Sequence, residues 1–391
     1  MIKKFLMTPG PTQVPPQVLS AMARPVIHHR TSEYSELFAR VNENLKYVYQ
    51  TGNEILSFAS SGTGAMESAV INLCSPGDDV LIAACGKFGE RWRDLAQVYG
   101  LAVEFHEYEY GEAVNPDDIS RSLEANPRIK AVFVTHSETS TGVVNDMQAI
   151  GAVVEDSDAV LVSDSISGLG SAEIKTDDWQ IDVVVSGSQK ALMIPPGLAF
   201  VSVSGKAWEL AAKARSPRFY FDWLKARKAL GQAKPTTPFT PPVSLMVGLD
   251  AALGLIREEG LEALFHRHII MGRACRAAIR SMGLELFSPD DDSSSSVTAV
   301  KVPENVDESR LRTHIRDVYG VQLAGGQGPV KGKIIRIGHC GYYNYSDIIV
   351  AITALEMTLT DLGHPVQLGA GIGAAEKVFA ADAEATGDEA V

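Results

Sequence analysis

The chain has 391 residues, 45% hydrophobic and 21% charged, with a formal net charge of −13 and a pI near 5.2. That length can bury a large core in two or three domain-sized units. The acidic balance argues against a broad basic surface for nucleic acid, while leaving room for a local basic pocket. No stretch nears the roughly 20 apolar residues of a membrane span, and four scattered cysteines without a C-x-x-C pair argue against a disulfide framework or a cysteine-rich metal site.

In chain order, the opening "MIKKFLMTPGPT" has only a short apolar run before Pro9, so it is not read as a signal peptide. These absences together predict a cytoplasmic protein. From residue 54 to 204 short apolar runs alternate with helical segments. The predicted strands are 54–60, 79–84, 102–108, 131–136, 159–165, 182–188 and 198–204, with helices such as 65–74 and 88–100 between them. Near-continuous apolar strands separated by helices predict an α/β fold with a mostly parallel seven-stranded sheet covered on both faces. The proline-rich stretch 234–244 interrupts the alternation, and a long helix is expected from Leu245. Beyond about 262 the pattern changes to long helices with shorter strands, "SVTAVKV" and "KIIRIGH", which predicts a smaller α+β domain with a polar loop at 290–296. The expected division is an N-terminal arm (1–14), a large domain (15–260), a small domain (261–368) and an acidic, Ala-rich, disordered tail (369–391).

Four features fall where ligands sit in open parallel sheets, past the carboxyl ends of strands or opposite them. In "SFASSGTGAMESAV" a strand gives way to a Gly-rich turn and a helix near Ala65, an arrangement that presents backbone N–H groups to a phosphate. Glu67 stands where a third glycine of the dinucleotide fingerprint belongs, so a single phosphate fits better than a dinucleotide. Gly62 and Gly64 read equally as a tight turn. Asp164 ends an apolar strand and is either a ligand or a turn cap. Lys190 follows the valine run 183–185; it is either a desolvated amine able to attack a carbonyl or a lysine whose stem snorkels to water. Arg336 interrupts an apolar strand, as a clamp for a carboxylate or as part of an internal ion pair. A phosphate cradle, a lysine and a carboxylate are together what pyridoxal 5'-phosphate requires of a protein.

The stretches "TPGPT", "SGTGAMES", "THSETSTG", "SDSISGLG" and "SGSQKAL", followed by "PPG", resemble class V aminotransferases of the fold-type I pyridoxal phosphate enzymes. The subgroup they resemble most is the alanine–glyoxylate, serine–glyoxylate and serine–pyruvate aminotransferases. The resemblance runs in order from about residue 5 to 360. It implies that Lys190 is the Schiff-base lysine and proton shuttle, and that Asp164 pairs with the pyridinium nitrogen. It places Thr63, Gly64, Ala65 and Gln189 around the phosphate, and Thr139 near the ring's phenolic oxygen. Some relatives carry histidine where Ala65 stands, so one side-chain contact is missing. Phe88 matches an aromatic residue stacked on the ring, commonly tryptophan. Arg336 matches the arginine that grips the substrate carboxylate, and Gly10 approaches that carboxylate through its backbone. Thr240 matches a residue reaching the phosphate of the neighbouring subunit, which implies a homodimer with sites at the interface.

The activity implied is transfer of an amino group from alanine or serine to glyoxylate or pyruvate. No second obvious arginine marks a pocket for a distal carboxylate, with Arg30 as the exception to weigh. A 2-aminoethylphosphonate-type aminotransferase shares most of the motifs. A cysteine desulfurase needs a cysteine on the loop before Arg336, and "LAGGQGPVKGK" has none. The non-enzymatic alternative is a subunit of a larger assembly such as a soluble hydrogenase, yet no cysteine spacing suits an iron–sulfur or nickel site. His28, His29, His339 and Cys340 stay unassigned, and His136 reads as a structural histidine. No metal site is expected.

Overall fold

The computed structural model describes residues 2–288 and 294–387. Seven strands form the main sheet: β1 (Glu54–Ser60), β2 (Asp79–Ala84), β3 (Ala102–Glu107), β4 (Ala131–Thr135), β5 (Val160–Asp164), β6 (Val183–Gly187) and β7 (Gly197–Val203). Their order across the sheet is β1-β7-β6-β5-β4-β2-β3. Only β7 runs against its neighbours, β6 and β1; the other pairings are parallel. Strands β4, β5 and β6 are buried along their whole length, which is why they read as unbroken apolar runs rather than as alternation. Successive side chains still part to opposite faces. Val132, Val134, Leu161 and Val184 enter one core, and Phe133, Val160, Val162, Val183 and Val185 the other.

Helices α1 (Ser32–Tyr49), α2 (Gly62–Leu73), α3 (Lys87–Val98) and α4 (Val243–Glu259) flank this sheet. A second layer follows. Helices α5 (Leu261–Ser281), α6 (Glu308–Tyr319) and α7 (Tyr345–Asp361) pack against an antiparallel sheet of β8 (Val297–Lys301), β9 (Ala324–Gly325) and β10 (Ile334–Gly338), with β10 in the centre. The N-terminal arm ties the two layers together. Phe5–Leu6 pairs in parallel with Val321–Gln322, Gly338 N donates to Met7 O at 2.8 Å, and the arm then crosses to the main sheet.

One expectation needs correction. Residues from 369 were expected to be disordered, but Ala370–Thr386 forms helix α8, packed on α5. Its inward face carries Ile372, Ala375, Val378 and Phe379, a spacing of three and four residues that outweighs the acidic composition. Residues 388–391 of that tail lie outside the described residues, as do 289–293 of the polar loop. The rest of the loop is buried: Ser294, Ser295 and Ser296 line the inside, and Ser296 Oγ lies 3.1 Å from Ser137 Oγ.

The start of α8 is held by the buried Glu356 of α7, whose carboxylate accepts from Gly369 N at 2.8 Å and Gly371 N at 2.6 Å. Glu356→Ala is expected to lower unfolding free energy by about 2 kcal/mol, because both donors lose their partner. It should also make α8 sensitive to protease. An unchanged denaturation midpoint with an intact C-terminal helix would contradict this role.

Candidate active site

Strand β6 delivers Lys190 to the carboxyl edge of the sheet, and the next residues lock it there. Ser188 Oγ donates to Pro195 O at 2.8 Å and accepts from Leu198 N at 3.2 Å, while Met193 N donates to Lys190 O at 3.0 Å. The proline-bounded exit is thus a closed loop. Lys190 is buried, and its Nζ donates to Pro9 O at 2.5 Å. The arm covers it from above: Thr12 Oγ1 donates to Lys190 O at 2.9 Å and Thr12 N to Gln189 O at 3.1 Å. Gly10, at φ +140°, adopts a backbone conformation that suits glycine, and a Cβ there would displace the Lys190 amine, which would lie 2.5 Å away. Burial depresses the lysine below its ordinary range; the Arg336 and Arg91 charges add to that, and Cys340 and Asp164 oppose it.

Asp164 closes β5 in register with Thr135 and Val185. Its Oδ1 accepts from Ile166 N at 2.9 Å, and among the described residues it has no salt-bridge partner. Burial pushes its carboxyl up to about 7; the Ile166 N–H works against that shift. Beside it, α2 begins at Gly62, and its N-cap Ser61 makes no side-chain cap. Thr63, Gly64 and Ala65 form this first turn. Gly64 is required by packing, because a Cβ would lie 2.0 Å from Ser60 Oγ. Gln189 Oε1 is buried without a hydrogen-bond partner.

Arg336 occupies the central strand β10, opposite Ala299 and Ala324. It is buried, with Nε donating to Gly325 O at 2.9 Å and Nη1 to Thr139 O at 2.8 Å. No carboxylate pairs with it among the described residues, so the internal ion pair considered from sequence is not formed. Burial lowers its pKa to about 10, and the nearby Glu138 charge counteracts that. Glu138 escaped the sequence reading although it precedes Thr139. Its Oε2 accepts from Phe88 N and Gly89 N at 3.0 Å each, and its Oε1 from Ser140 N at 3.1 Å and Ser140 Oγ at 2.6 Å. A fully buried carboxylate thereby caps α3 and fixes where Phe88 points; burial holds its pKa above the usual carboxylate value. Arg91 was also missed. It lies one turn beyond Phe88, its Nη1 donates to Thr63 Oγ1 at 3.0 Å, and its Cζ sits 4.9 Å from the Phe88 ring centre. The only sequence signal was the three-residue spacing from Phe88 on a helix.

Lys190, Asp164, Arg336, Thr63, Phe88, Thr139 and Gly10 therefore converge, with Gly64, Ala65 and Gln189 adjoining them. Thr240 does not join them. It is exposed, sharing a small cavity with Tyr220, Phe239 and Leu198. Arg30 serves the same loop, donating to Thr236 Oγ1 at 2.9 Å and Thr237 O at 3.0 Å, while His28 and His29 lie against each other. His136 is buried, with its Nδ1 3.5 Å from Ser165 Oγ, and desolvation lowers its pKa to about 4. His339 bridges Ser295 O and Thr298 Oγ1, at 3.1 and 3.0 Å. Cys340 is buried close to Lys190, and burial raises its thiol to about 11.

These residues suit pyridoxal phosphate on their own geometry. An uncapped helix start offers free backbone N–H groups to an anion, and the unpartnered Gln189 oxygen beside it calls for a donor such as a protonated phosphate oxygen or a water. A carboxylate without a counter-ion awaits a pyridinium, and a desolvated amine awaits an aldehyde. A buried lysine, acid and helix start on the carboxyl edge of this sheet define a pyridoxal phosphate enzyme of fold type I. Within that class the chain belongs to the class V aminotransferases, whose family model, "Aminotransferase class-V", matches residues 4–347.

The chain is 46% identical to the "Soluble hydrogenase 42 kDa subunit" of Anabaena cylindrica, over 96% of this chain and 99% of that one. It is 39% identical to the serine–glyoxylate aminotransferase of Methylorubrum extorquens, over 95% of each chain. The crystal structure of ureidoglycine–glyoxylate aminotransferase from Bacillus subtilis superposes with a TM-score of 0.93 at 30% identity, covering 97% of this chain and 98% of that one.

Asp164 gives a pH test in the cofactor-free protein. Its folded pKa of about 7 lies well above the ordinary aspartate value of 3.8. The contribution of the protonated acid is therefore complete below about pH 4 and is lost as pH rises through 7. Asp164→Asn should gain stability relative to wild type between pH 5 and 8, by at most roughly 4 kcal/mol. A difference that does not change across that range in thermal melts would show that Asp164 is not held protonated.

Proposed function

We propose that this aminotransferase moves an amino group from a small L-amino acid, alanine or serine, to glyoxylate or pyruvate. The observation that carries the reading is Arg336: a buried guanidinium, with two donors spent on backbone carbonyls and no carboxylate partner among the described residues, beside a desolvated lysine. Its free donors suit an α-carboxylate in a bidentate grip. Glyoxylate in the names of the Methylorubrum and Bacillus proteins supports the acceptor, and serine in the former supports the donor.

When bound, pyridoxal phosphate supplies an aldehyde carbon and an electron-withdrawing ring. The protein does the rest. Arg336 holds the substrate carboxylate and so aims the Cα–H bond toward Lys190. Lys190 Nζ, its pKa lowered by burial, would hold the cofactor's aldehyde and serve as the base for the Cα proton. Asp164 would face the ring nitrogen and favour its protonated form. Phe88 would cover one ring face, Thr139 would lie near the phenolic oxygen, and Thr63, Gly64, Ala65 and Gln189 would receive the phosphate. Gly10 keeps the arm's backbone within reach of the carboxylate.

The reading includes a homodimer in which Thr240 reaches the partner's phosphate. Its support is that Thr240 is exposed and shares a small cavity with the exposed Tyr220, whose ring stacks on Phe239. It also includes a cytoplasmic location, supported by four buried, unpaired cysteines, and a large domain over 15–260 with a small one over 261–368. No helix among the described residues is long and apolar enough to cross a membrane.

The purified protein should be yellow, with a visible band that shifts on adding L-serine or L-alanine. A colourless protein that cannot be reconstituted with pyridoxal phosphate contradicts the reading. Lys190→Ala should lower turnover by about a thousandfold or more while cofactor still binds noncovalently. Arg336→Ala should raise KM for amino donors by roughly 10- to 100-fold with a smaller effect on kcat. A donor-by-acceptor activity matrix identifies the physiological pair.

A further inference from the structure

The phosphate cradle lacks a cation among the residues read from sequence. Thr63 and Gln189 offer a hydroxyl and an amide, and Ala65, fully buried, offers no side-chain donor. A phosphate dianion in a partly buried site calls for positive charge beyond what a helix start supplies. Arg91 is placed to provide it. The other cations of α3, Lys87 and Arg93, pair with Glu90. Arg91 instead turns inward, is half-buried, and makes no salt bridge among the described residues. One of its five N–H donors goes to Thr63 Oγ1, at 3.0 Å. Its guanidinium lies against the Phe88 ring, close enough to Asp164 and Lys190 for its charge to act on both.

We propose that Arg91 is the cationic anchor of the cofactor's phosphate, acting directly and through the Thr63 hydroxyl. That hydroxyl accepts from Arg91, so its own proton is free for a phosphate oxygen. Contact between the guanidinium and Phe88 makes the phosphate anchor and the ring-stacking residue one unit on α3. This inference rests on the pyridoxal phosphate reading above.

The test compares pyridoxal phosphate with pyridoxal, which lacks the phosphate. Dissociation constants are measured by absorbance titration of cofactor-free wild type, Arg91→Gln, Arg91→Lys and Thr63→Val, with inorganic phosphate as a competitor. Circular dichroism checks that each variant is folded. Arg91→Gln should weaken pyridoxal phosphate by roughly 10- to 100-fold and leave pyridoxal within about twofold. Inorganic phosphate should lose its competition in the same variant. Arg91→Lys should recover part of the loss, and Thr63→Val should fall between wild type and Arg91→Gln. Equal losses for the two cofactor forms, or no loss for either, overturn the proposal. So does unchanged cofactor affinity with a raised KM for dicarboxylic donors, which would assign Arg91 to the substrate. A wild-type protein that binds no pyridoxal phosphate refutes the function reading instead, before any variant is compared.

Discussion

Charge buried without a full set of partners is the constraint around which this molecule is arranged. Lys190, Arg336, Asp164 and Glu138 are all buried within one rim, and each loses hydration that only hydrogen bonds or opposite charge can replace. The fold meets this requirement unevenly. Glu138 receives three backbone N–H groups and a hydroxyl. Asp164 receives one N–H, Arg336 finds two carbonyls, and Lys190 finds the Pro9 carbonyl. What is satisfied is scaffold, and what is left over is the site. The groups still short of partners are those that our proposal assigns to a cofactor and a carboxylate substrate.

Legibility in the sequence follows the same division. Strands β4 to β6 are visible because burial on both faces demands unbroken apolar runs, and Asp164 and Lys190 stand out because each ends or follows such a run. Glu138 and Arg91 are invisible for a physical reason. Glu138 caps a helix that begins about fifty residues earlier, and Arg91 acquires its role only when α2 brings Thr63 alongside. No local pattern encodes either meeting. Helix α8 shows the opposite error: its apolar spacing was present in the sequence, but composition was weighed above periodicity. Arg336 is intermediate, since an arginine inside an apolar strand is conspicuous, while its lack of a counter-ion is a property of the folded chain.

Glycine sets the tolerances of the site. A Cβ at Gly10 would meet the lysine amine itself, one at Gly64 the Ser60 hydroxyl, and one at Gly338 the Thr8 carbonyl at 2.3 Å. Of these three, Gly338 is where backbone meets backbone, Gly10 lays the arm against the Lys190 side chain, and Gly64 lays the helix start against the end of β1. Arm and β10 are therefore located by direct contact, which limits how far Lys190 and Arg336 can drift from one another.

The arm also has a consequence for the order in which the protein is made. Phe5 pairs with Val321, Met7 receives Gly338, and Pro9 meets Lys190. Residues 5–7 are thus synthesised well before residues 321–338, which they pair with, and such nonlocal closures are late and slow steps. The main sheet can assemble on the nascent chain with its lysine uncovered. Only a chain that extends through Gly338 can anchor the arm in both layers and hold the roof over that amine, so until then the lysine lacks the pocket that directs its reactivity.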